Sequence, residues 1–276
     1  MLISVIVPVY NGENFIKDTL LSIQNQTCTD FECLVVDDGS IDNTKQIVND
    51  LHQDAARFSF IPLEHHGAPG HARNEGLRRA KGEYVVYFDS DDYMFPNFLE
   101  IMLSKMEENT DLVIGNFRTF DVVNKKVLLS EMDSFIQKKQ RTTNDLFTIS
   151  PFPCNKMYRK KFLLDTNVWY LEGVFNQDLS YFLSLCMHHP SFQVVEEEVM
   201  EYHVRPNSIT TSKKTAKKHI DILACFDQVF DEYEKEKAYD LEYGLYEMFI
   251  KTMIYKISFF DLEKDTKEIN QIRDYL

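Results

Sequence analysis

The chain has 276 residues, of which 44% are hydrophobic and 27% are charged, and this is the composition of an ordinary globular protein. Its formal net charge of −14 argues against nucleic acid as a partner, and against a strongly anionic membrane surface unless the chain carries a local basic patch. The five cysteines are scattered and form no C-x-x-C pair, which indicates reduced thiols and a cytoplasmic setting rather than disulfides or structural zinc.

Residues 1–115 alternate between short apolar runs and amphipathic helical patterns. The predicted strands, in chain order, are LISVIVPV, FECLVVDD, RFSFIPLE, EYVVYFD and DLVIG. The predicted helices are NFIKDTLLSIQNQ, DNTKQIVNDLH, GHARNEGLRRA and PNFLEIMLSKMEEN. Near-continuous apolar strands that alternate with helices predict an α/β fold with a Rossmann-like, mostly parallel sheet flanked by helices. The opening run is too short to span a bilayer, so we expect no transmembrane segment and no signal peptide.

The rest of the chain divides into two predicted parts. Residues 116–212 contain a hairpin-like run, NFRTFDVVNKKVLL, a helix around DLSYFLSLCMHH, and strands near FQVVEE and MEYHV. Residues 213–276 predict a helical C-terminal extension, because apolar side chains recur there at helical spacing, namely Tyr246, Phe249, Ile250, Met253, Ile254 and Ile257. We expect this extension either to pack on the main domain or to provide a surface for homo-oligomer formation.

Polar residues follow three of the predicted strands. They are Tyr10 after the first strand, Asp38 after the second, and Asp89, Ser90 and Asp91 after the fourth. Ligands of parallel α/β sheets gather beyond the carboxyl ends of the strands. We therefore expect these clusters, which are distant in sequence, to converge on one site.

The run YFDSDDYM places three carboxylates in four positions. On an extended strand Asp89 and Asp91 would share a face while Asp92 points away, and two such carboxylates suit a hard divalent cation such as Mn²⁺ or Mg²⁺. The alternative is an acidic helix-capping turn, but the next helix is predicted to begin at Pro96, which leaves Phe95 at the cap position. The position at a strand end favours a metal site, a DXD motif.

Three residues outside the acidic run have side chains that suit a nucleotide. Asp38 could accept a hydrogen bond from a base N–H or a ribose hydroxyl, and Tyr10 could present a ring face to the base. Arg73, in the N-terminal half of a predicted helix, could reach a base carbonyl or a phosphate oxygen. The alternatives are an ordinary turn at Asp38 and a surface arginine at position 73.

Taken in order, these motifs resemble the nucleotide-sugar-binding half of the family 2 glycosyltransferases, which are inverting enzymes with a GT-A fold. The matching runs are SVIVPVYNGENFIKDTLLSIQNQT, VVDDGSIDNT and GHARNEGLRRAKGEYVVYFDSDD, with further matches at PFPCNKMYRKKFL, FNQDLSYF and YHVRPNSIT. The resemblance implies a GT-A domain over residues 1–212, with a nucleotide-sugar-binding half at 1–115 and an acceptor-binding half at 116–212.

On the donor side, the resemblance implies a role for each matching position. Pro8 and Tyr10 would border a uracil, and Asp38 and Arg73 would contact it. Asp89, with Ser90 beside it, would lie near the ribose. Asp91 would bind the metal ion that bridges the two phosphates, with Asp89 as a neighbouring ligand.

On the acceptor side, the resemblance implies that Asp178 is the catalytic base. The family commonly has Glu-Asp at that point, whereas this chain has Gln177 before the Asp. Arg205 would contact the diphosphate, and His203 is either an additional metal ligand or a packed histidine. His71 stands where small residues are usual in the family, and its ring could crowd the pocket for the uracil.

The resulting functional hypothesis is metal-dependent transfer of a hexosyl or N-acetylhexosaminyl group, with inversion, from a UDP-sugar donor to a saccharide or glycan acceptor. We expect a cytoplasmic protein that is either free or peripheral at the inner face of the membrane. One alternative is a nucleotidyltransferase that makes nucleotide sugars, although the run VPVYNGENF lacks the basic glycine-rich loop that would hold a triphosphate. The other alternative is a non-catalytic scaffold subunit with this fold.

Overall fold

The computed structural model describes residues 2–54, 57–128, 133–206, 219–258 and 265–275. The strands are β1 (Ile3–Val9), β2 (Phe31–Asp37), β3 (Phe58–Pro62), β4 (Tyr84–Tyr87), β5 (Tyr93–Met94), β6 (Leu112–Asp121), β7 (Lys126–Leu128), β8 (Lys156–Arg159) and β9 (Phe192–Val204). The helices are α1 (Ile16–Gln24), α2 (Thr44–Asp54), α3 (Pro69–Arg79), α4 (Phe98–Ser104), α5 (Asp133–Ile136), α6 (Lys160–Thr166), α7 (Gln177–Cys186), α8 (Ile222–Glu236), α9 (Glu242–Ile257) and α10 (Thr266–Tyr275), with 3₁₀ helices at Thr143–Thr148 and Tyr239–Leu241.

One mixed sheet organises the described residues, in the order β3-β2-β1-β4-β8-β6-β9-β5, and β7 pairs with β6. Strands β3, β2, β1 and β4 are parallel to one another, and every residue of β1, β2 and β4 is buried. Burial on both faces explains why these strands are almost continuously apolar. The α/β fold predicted from this pattern is therefore confirmed.

The second half of the sheet is less parallel than the sequence predicts. Strand β8 lies between β4 and β6 and is antiparallel to both, while β6 and β9 are parallel. The sequence pattern did not identify β8, because it is four residues long and three of its residues are Lys156, Tyr158 and Arg159 rather than aliphatic side chains. The predicted hairpin is confirmed by the antiparallel pairing of β6 with β7.

The acidic run after β4 forms a turn rather than an extended strand. The backbone N–H of Asp92 donates to the carbonyl of Asp89 over 3.3 Å, and the chain is extended again only at β5. The expected alternation of side chains along a strand is therefore wrong for Asp89, Asp91 and Asp92. Helix α4 begins at Phe98 with Asn97 as its N-cap, two residues beyond the predicted start at Pro96.

The C-terminal helices pack on the rest of the protein through their apolar faces. In α8, Cys225, Phe226 and Val229 are buried, and this helix contacts α7. In α9, Gly244 allows close packing, since a Cβ there would lie 2.9 Å from a ring carbon of Phe147. The predicted domain boundary between residues 212 and 213 lies outside the described residues. Within those residues, no helix is sufficiently long and apolar to cross a bilayer.

Candidate active site

A single buried arginine connects the two sides of the candidate site. Arg73, on α3, is 1% exposed and donates from Nη2 to Asp89 Oδ1 over 2.6 Å and from Nη1 to Asp178 Oδ1 over 2.5 Å. Asp89 follows β4 and Asp178 lies in the first turn of α7, so residues distant in sequence meet beyond the strand ends. Burial by itself lowers the pKa of Arg73, but Asp178 and Asp89 together raise it well above its usual range. The guanidinium therefore remains a fixed cation between two carboxylates.

The two oxygens of Asp178 have different surroundings. Oδ1 accepts from Arg73 and also from Gln177 Nε2, over 3.1 Å. Oδ2 has no hydrogen-bond partner among the residues that the structure describes, and the side chain remains 29% exposed. Burial raises the pKa of Asp178, and Arg73 opposes that shift. The result is a carboxylate with one anchored oxygen and one accessible oxygen, as a general base requires.

Asp91 is paired with Arg205 in this structure. Arg205 donates from Nε to Asp91 Oδ2 over 2.7 Å, and its guanidinium carbon lies 3.7 Å from the centre of the Phe15 ring. Burial raises the pKa of Asp91, while the Arg205 charge lowers it. The structure thus brings the predicted metal ligand and the predicted phosphate contact together, although they are 114 residues apart.

Asp92 is the most deeply buried carboxylate of the acidic turn. It is 1% exposed, its Oδ1 accepts the backbone N–H of His203 over 2.9 Å, and its buried Oδ2 has no hydrogen-bond partner among the residues that the structure describes. Burial, together with the charges of Asp91 and Asp89, raises the pKa of Asp92 well above its usual range. Thr19 on α1 fixes the turn by donating to the backbone carbonyls of Ser90 and Asp92, each over 2.8 Å.

The acidic turn suits a divalent cation in its chemistry. Asp89 and Asp91 each have one oxygen bound by an arginine, and the second oxygen of each has no hydrogen bond within the described part of the chain. The Oδ2 atom of Asp92 is buried beside these two carboxylates and makes no hydrogen bond within the described residues. Carboxylate oxygens are the donors that Mn²⁺ and Mg²⁺ prefer. Asp89 and Asp91 therefore fit a bound metal ion.

The other predicted residues lie around this turn. Ser90 is buried within it, and Pro8 is a buried residue of β1. The ring nitrogen Nε2 of His203 lies 3.1 Å from Glu201 Oε2, and the ring is tilted against Phe120. Among the described residues His203 belongs to no cluster of three metal-ligating side chains, so its role as a ligand stays a prediction.

Two histidines contact the residues that are predicted to bind the uracil ring. The ring of Tyr10 stacks on His65 at 4.1 Å, and His65 Nδ1 lies 2.9 Å from Asp38 Oδ2. Asp38 also accepts the backbone N–H groups of His66 and Gly67, over 2.9 and 3.1 Å. His65 and His66 were not among the predicted site residues, although the HHG run directly follows the third predicted strand and therefore lies at the same edge of the sheet.

Helix α3 also holds the segment that precedes the candidate base. Asn74 accepts the N–H of Tyr170 over 3.0 Å and donates to the carbonyl of Tyr170 over 2.9 Å and to Glu172 Oε1 over 3.0 Å. His71 Nδ1 lies 2.8 Å from Glu172 Oε2, and its ring stacks on His66. The roles of Asn74 and Glu172 are not visible in the sequence, because their contacts join residues about a hundred positions apart.

The fold is that of the GT-A glycosyltransferases. The first 349 residues of Staphylococcus aureus TarS, solved in complex with UDP-GlcNAc, superpose with a TM-score of 0.70 at 25% identity, over 83% of this chain and 66% of that one. Residues 4–165 match the family model described as glycosyl transferase family 2. The chain therefore belongs to glycosyltransferase family 2.

Two curated relatives agree with that assignment. A Bacillus subtilis protein named putative glycosyltransferase EpsH is 35% identical over 58% of this chain and 48% of its own length. A Campylobacter jejuni protein named GalNAc(5)-diNAcBac-PP-undecaprenol beta-1,3-glucosyltransferase is 36% identical over 41% of this chain and 37% of its own length. The chain thus matches half or less of the length of these two relatives.

Proposed function

We propose that this protein transfers a sugar from a UDP-sugar to a hydroxyl group of a saccharide acceptor, with Asp178 as the general base. The observation that carries this proposal is the Arg73 guanidinium, which holds Asp178 beside Asp89 across the candidate site. Pro8, Tyr10 and Asp38 would form the uracil site. The complex of TarS with UDP-GlcNAc supports a UDP-sugar as the donor.

The reaction that this arrangement supports is a single displacement. Oδ2 of Asp178 takes the proton of the acceptor hydroxyl while the hydroxyl oxygen forms a bond to the anomeric carbon. The bond between that carbon and the diphosphate oxygen breaks, and UDP leaves with the electron pair. Attack opposite the leaving group inverts the anomeric configuration.

Charge near the diphosphate would promote departure of UDP. A divalent cation held by Asp91 and Asp89 would supply positive charge at the diphosphate. Arg205 is bound to Asp91 in this structure and is within reach of the same region, so its guanidinium could exchange Asp91 for a phosphate oxygen. Arg73 keeps its place and orients Asp178 throughout.

The acceptor is proposed by chemical class. The name of the Campylobacter relative specifies a saccharide that is linked to undecaprenol through a diphosphate. We therefore propose a saccharide acceptor that is attached to a larger carrier. A peripheral location at the inner face of the membrane would agree with such a carrier.

The test of this proposal is UDP release from a panel of UDP-sugars with Mn²⁺, with and without a saccharide acceptor. We expect metal-dependent release from one or two donors. Calorimetry of UDP with the Asp91→Ala variant should show that binding no longer depends on Mn²⁺, while the wild-type protein should bind UDP more tightly with Mn²⁺. Pyrophosphate release from UTP would instead indicate a nucleotidyltransferase, and absence of UDP binding would favour the scaffold.

We also propose that the outer face of α9 mediates self-association. An apolar stripe, here called the α9 stripe, runs along this face, and its members are between 36% and 80% exposed: Tyr243, Tyr246, Ile250, Ile254 and Ile257. Glu247 and Lys251 form an ion pair beside the stripe and lie symmetrically about Phe249. In an antiparallel pair of α9 helices, each Glu247 would therefore lie beside the Lys251 of the second copy.

A further inference from the structure

The β6–β7 hairpin exposes apolar side chains at its tip. Val122, Val123, Val127 and Leu128 are 40%, 62%, 47% and 39% exposed. They lie within seven consecutive residues, so the exposed apolar side chains are concentrated at one end of the hairpin. Nothing in the proposed transfer reaction uses this tip.

The turn of the hairpin is fixed by its first residue. Asp121 Oδ1 accepts the backbone N–H groups of Val123 and Asn124 over 3.0 and 2.9 Å, and Oδ2 accepts from Asn124 Nδ2 over 2.8 Å. These hydrogen bonds lower the pKa of Asp121. Lys125 has φ of 50°, the left-handed conformation that closes such turns. The apolar tip is thus held in one conformation, with its single carboxylate committed to the turn.

Two adjacent lysines lie at the same tip. Lys125 and Lys126 are exposed, and among the described residues no carboxylate lies within ion-pair distance of either. The tip thus presents two positive charges outside any ion pair of the described residues, although the formal net charge of the chain is −14. Apolar side chains flanked by lysines match the boundary between acyl chains and anionic headgroups of a bilayer. An acidic protein would otherwise be repelled by that surface.

The tip lies next to the candidate active site. Asp121 pairs with Val204 in the β6–β9 register, and the N–H of Val122 donates to the carbonyl of Val204 over 3.2 Å. The next residue, Arg205, binds Asp91. A surface that binds the hairpin tip would therefore lie beside the opening of the site.

We propose that the β6–β7 hairpin docks this protein onto an anionic lipid bilayer, with the valines at the acyl boundary and the lysines at the headgroups. The biological role of this docking rests on the proposed function, since a saccharide linked to the membrane would then be presented at the candidate active site. Its evidence is independent, because it comes from the exposure, the charge and the position of the tip.

The test is co-sedimentation of the full chain with vesicles of phosphatidylcholine alone and with vesicles that also contain phosphatidylglycerol. We expect binding only to the anionic vesicles. Each lysine near a charged surface contributes about fivefold in partitioning, so the Lys125→Glu/Lys126→Glu variant should bind at least about tenfold more weakly. The Val122→Ser/Val123→Ser variant should also bind more weakly to anionic vesicles, and high salt should weaken the wild type.

A matched control tests whether the position matters. Leu164 is 47% exposed on α6, and Lys161 is exposed on the same helix, so Leu164→Ser/Lys161→Glu removes an apolar group and reverses a charge elsewhere. This control should bind anionic vesicles like the wild type, and all variants should keep UDP binding in solution. The proposal is overturned if the wild type ignores anionic vesicles, if the control loses binding equally, or if the serine variant abolishes only self-association. If the wild-type protein does not bind UDP in solution, that result contradicts the proposed function and not the docking proposal.

Discussion

Asp178 has one anchored oxygen and one accessible oxygen, and this asymmetry gives a direct test of the base. The Asp178→Asn substitution retains an oxygen that can accept from Arg73, so the local structure should persist, but the amide cannot take a proton. We expect the rate of sugar transfer to fall by about 10²–10⁴-fold, with UDP affinity unchanged within about twofold. Transfer would be measured by UDP release with acceptor, and affinity by calorimetry.

The control for this prediction is Asp165→Asn, which removes an exposed carboxylate from α6. It should leave both the transfer rate and UDP affinity unchanged. Near-normal transfer by the Asp178→Asn variant would show that another group takes the proton.

Lys156 is a buried cation that the proposed reaction does not use. Its Nζ donates to the carbonyls of Ser150 and Phe152 over 2.9 and 2.7 Å and to Asn155 Oδ1 over 3.0 Å. Burial lowers the pKa of Lys156 to about 7, below its ordinary value near 10.5. The unfolded chain therefore holds more protons than the folded protein between about pH 7 and pH 10, so this group makes stability rise with pH in that window.

Replacement of Lys156 tests both its hydrogen bonds and its contribution to the pH dependence of stability. We expect Lys156→Met to destabilise the protein by roughly 1–3 kcal/mol at pH 7, because three oxygens lose their donor. We also expect the variant to lose the part of the pH dependence between pH 7 and pH 10 that Lys156 provides. Urea unfolding of both proteins at the two pH values measures this, and equal changes with pH would contradict the assignment.

At the scale of elements, helix α3 links the predicted donor-binding residues to the candidate catalytic base, Asp178. Its close approach to the segment before α7 requires Gly70, since a Cβ there would lie 2.3 Å from the carbonyl oxygen of Leu171. Asn74 binds both backbone groups of Tyr170, and Arg73 reaches Asp178. A small displacement of this helix would therefore move the base relative to the donor.

This geometry predicts how an α3 variant fails. Asn74→Ala should lower the transfer rate by about 10–100-fold while UDP affinity changes little, because the side-chain hydrogen bonds of Asn74 within the described residues go to the segment that leads to Asp178. It should also cost about 1–3 kcal/mol of unfolding free energy, since buried groups of Tyr170 lose their partner. The matched control is Gln46→Ala, which removes an exposed amide from α2. An equal loss of rate and UDP affinity in Asn74→Ala would contradict a positioning role.

The elements themselves differ in how well the sequence predicts them. β1, β2 and β4 were predicted because burial on both faces makes them continuously apolar. The sequence pattern did not predict the short strand β8 or the turn formed by the acidic run, because the structure of both depends on neighbours from distant parts of the chain. At the candidate active site, the sequence predicts which residues follow the strands. The hydrogen bonds of Arg73 with Asp178 and of Arg205 with Asp91 are visible only in the folded chain.

At the scale of the whole molecule, two exposed apolar surfaces have different charge environments. The two lysines of the hairpin tip form no ion pair in the described part of the chain, whereas the α9 stripe lies beside the Glu247–Lys251 ion pair. A surface with both signs of charge suits a second copy of the same protein, because one orientation of the pair matches opposite charges. The same stripe has too little positive charge to bind an anionic bilayer.

The α9 stripe therefore predicts a concentration-dependent dimer. Ile250 and Ile254 are 53% and 66% exposed, and their replacement in Ile250→Glu/Ile254→Glu would place four carboxylates in the paired stripe. Like charges in an apolar contact should weaken association by at least about tenfold. Sedimentation velocity over a range of concentrations measures this, with Leu164→Glu on α6 as the control for a new exposed charge. Because α9 packs through its opposite face, the variant should unfold at the same urea concentration as the wild type, and a wild type that stays monomeric throughout would disprove the dimer.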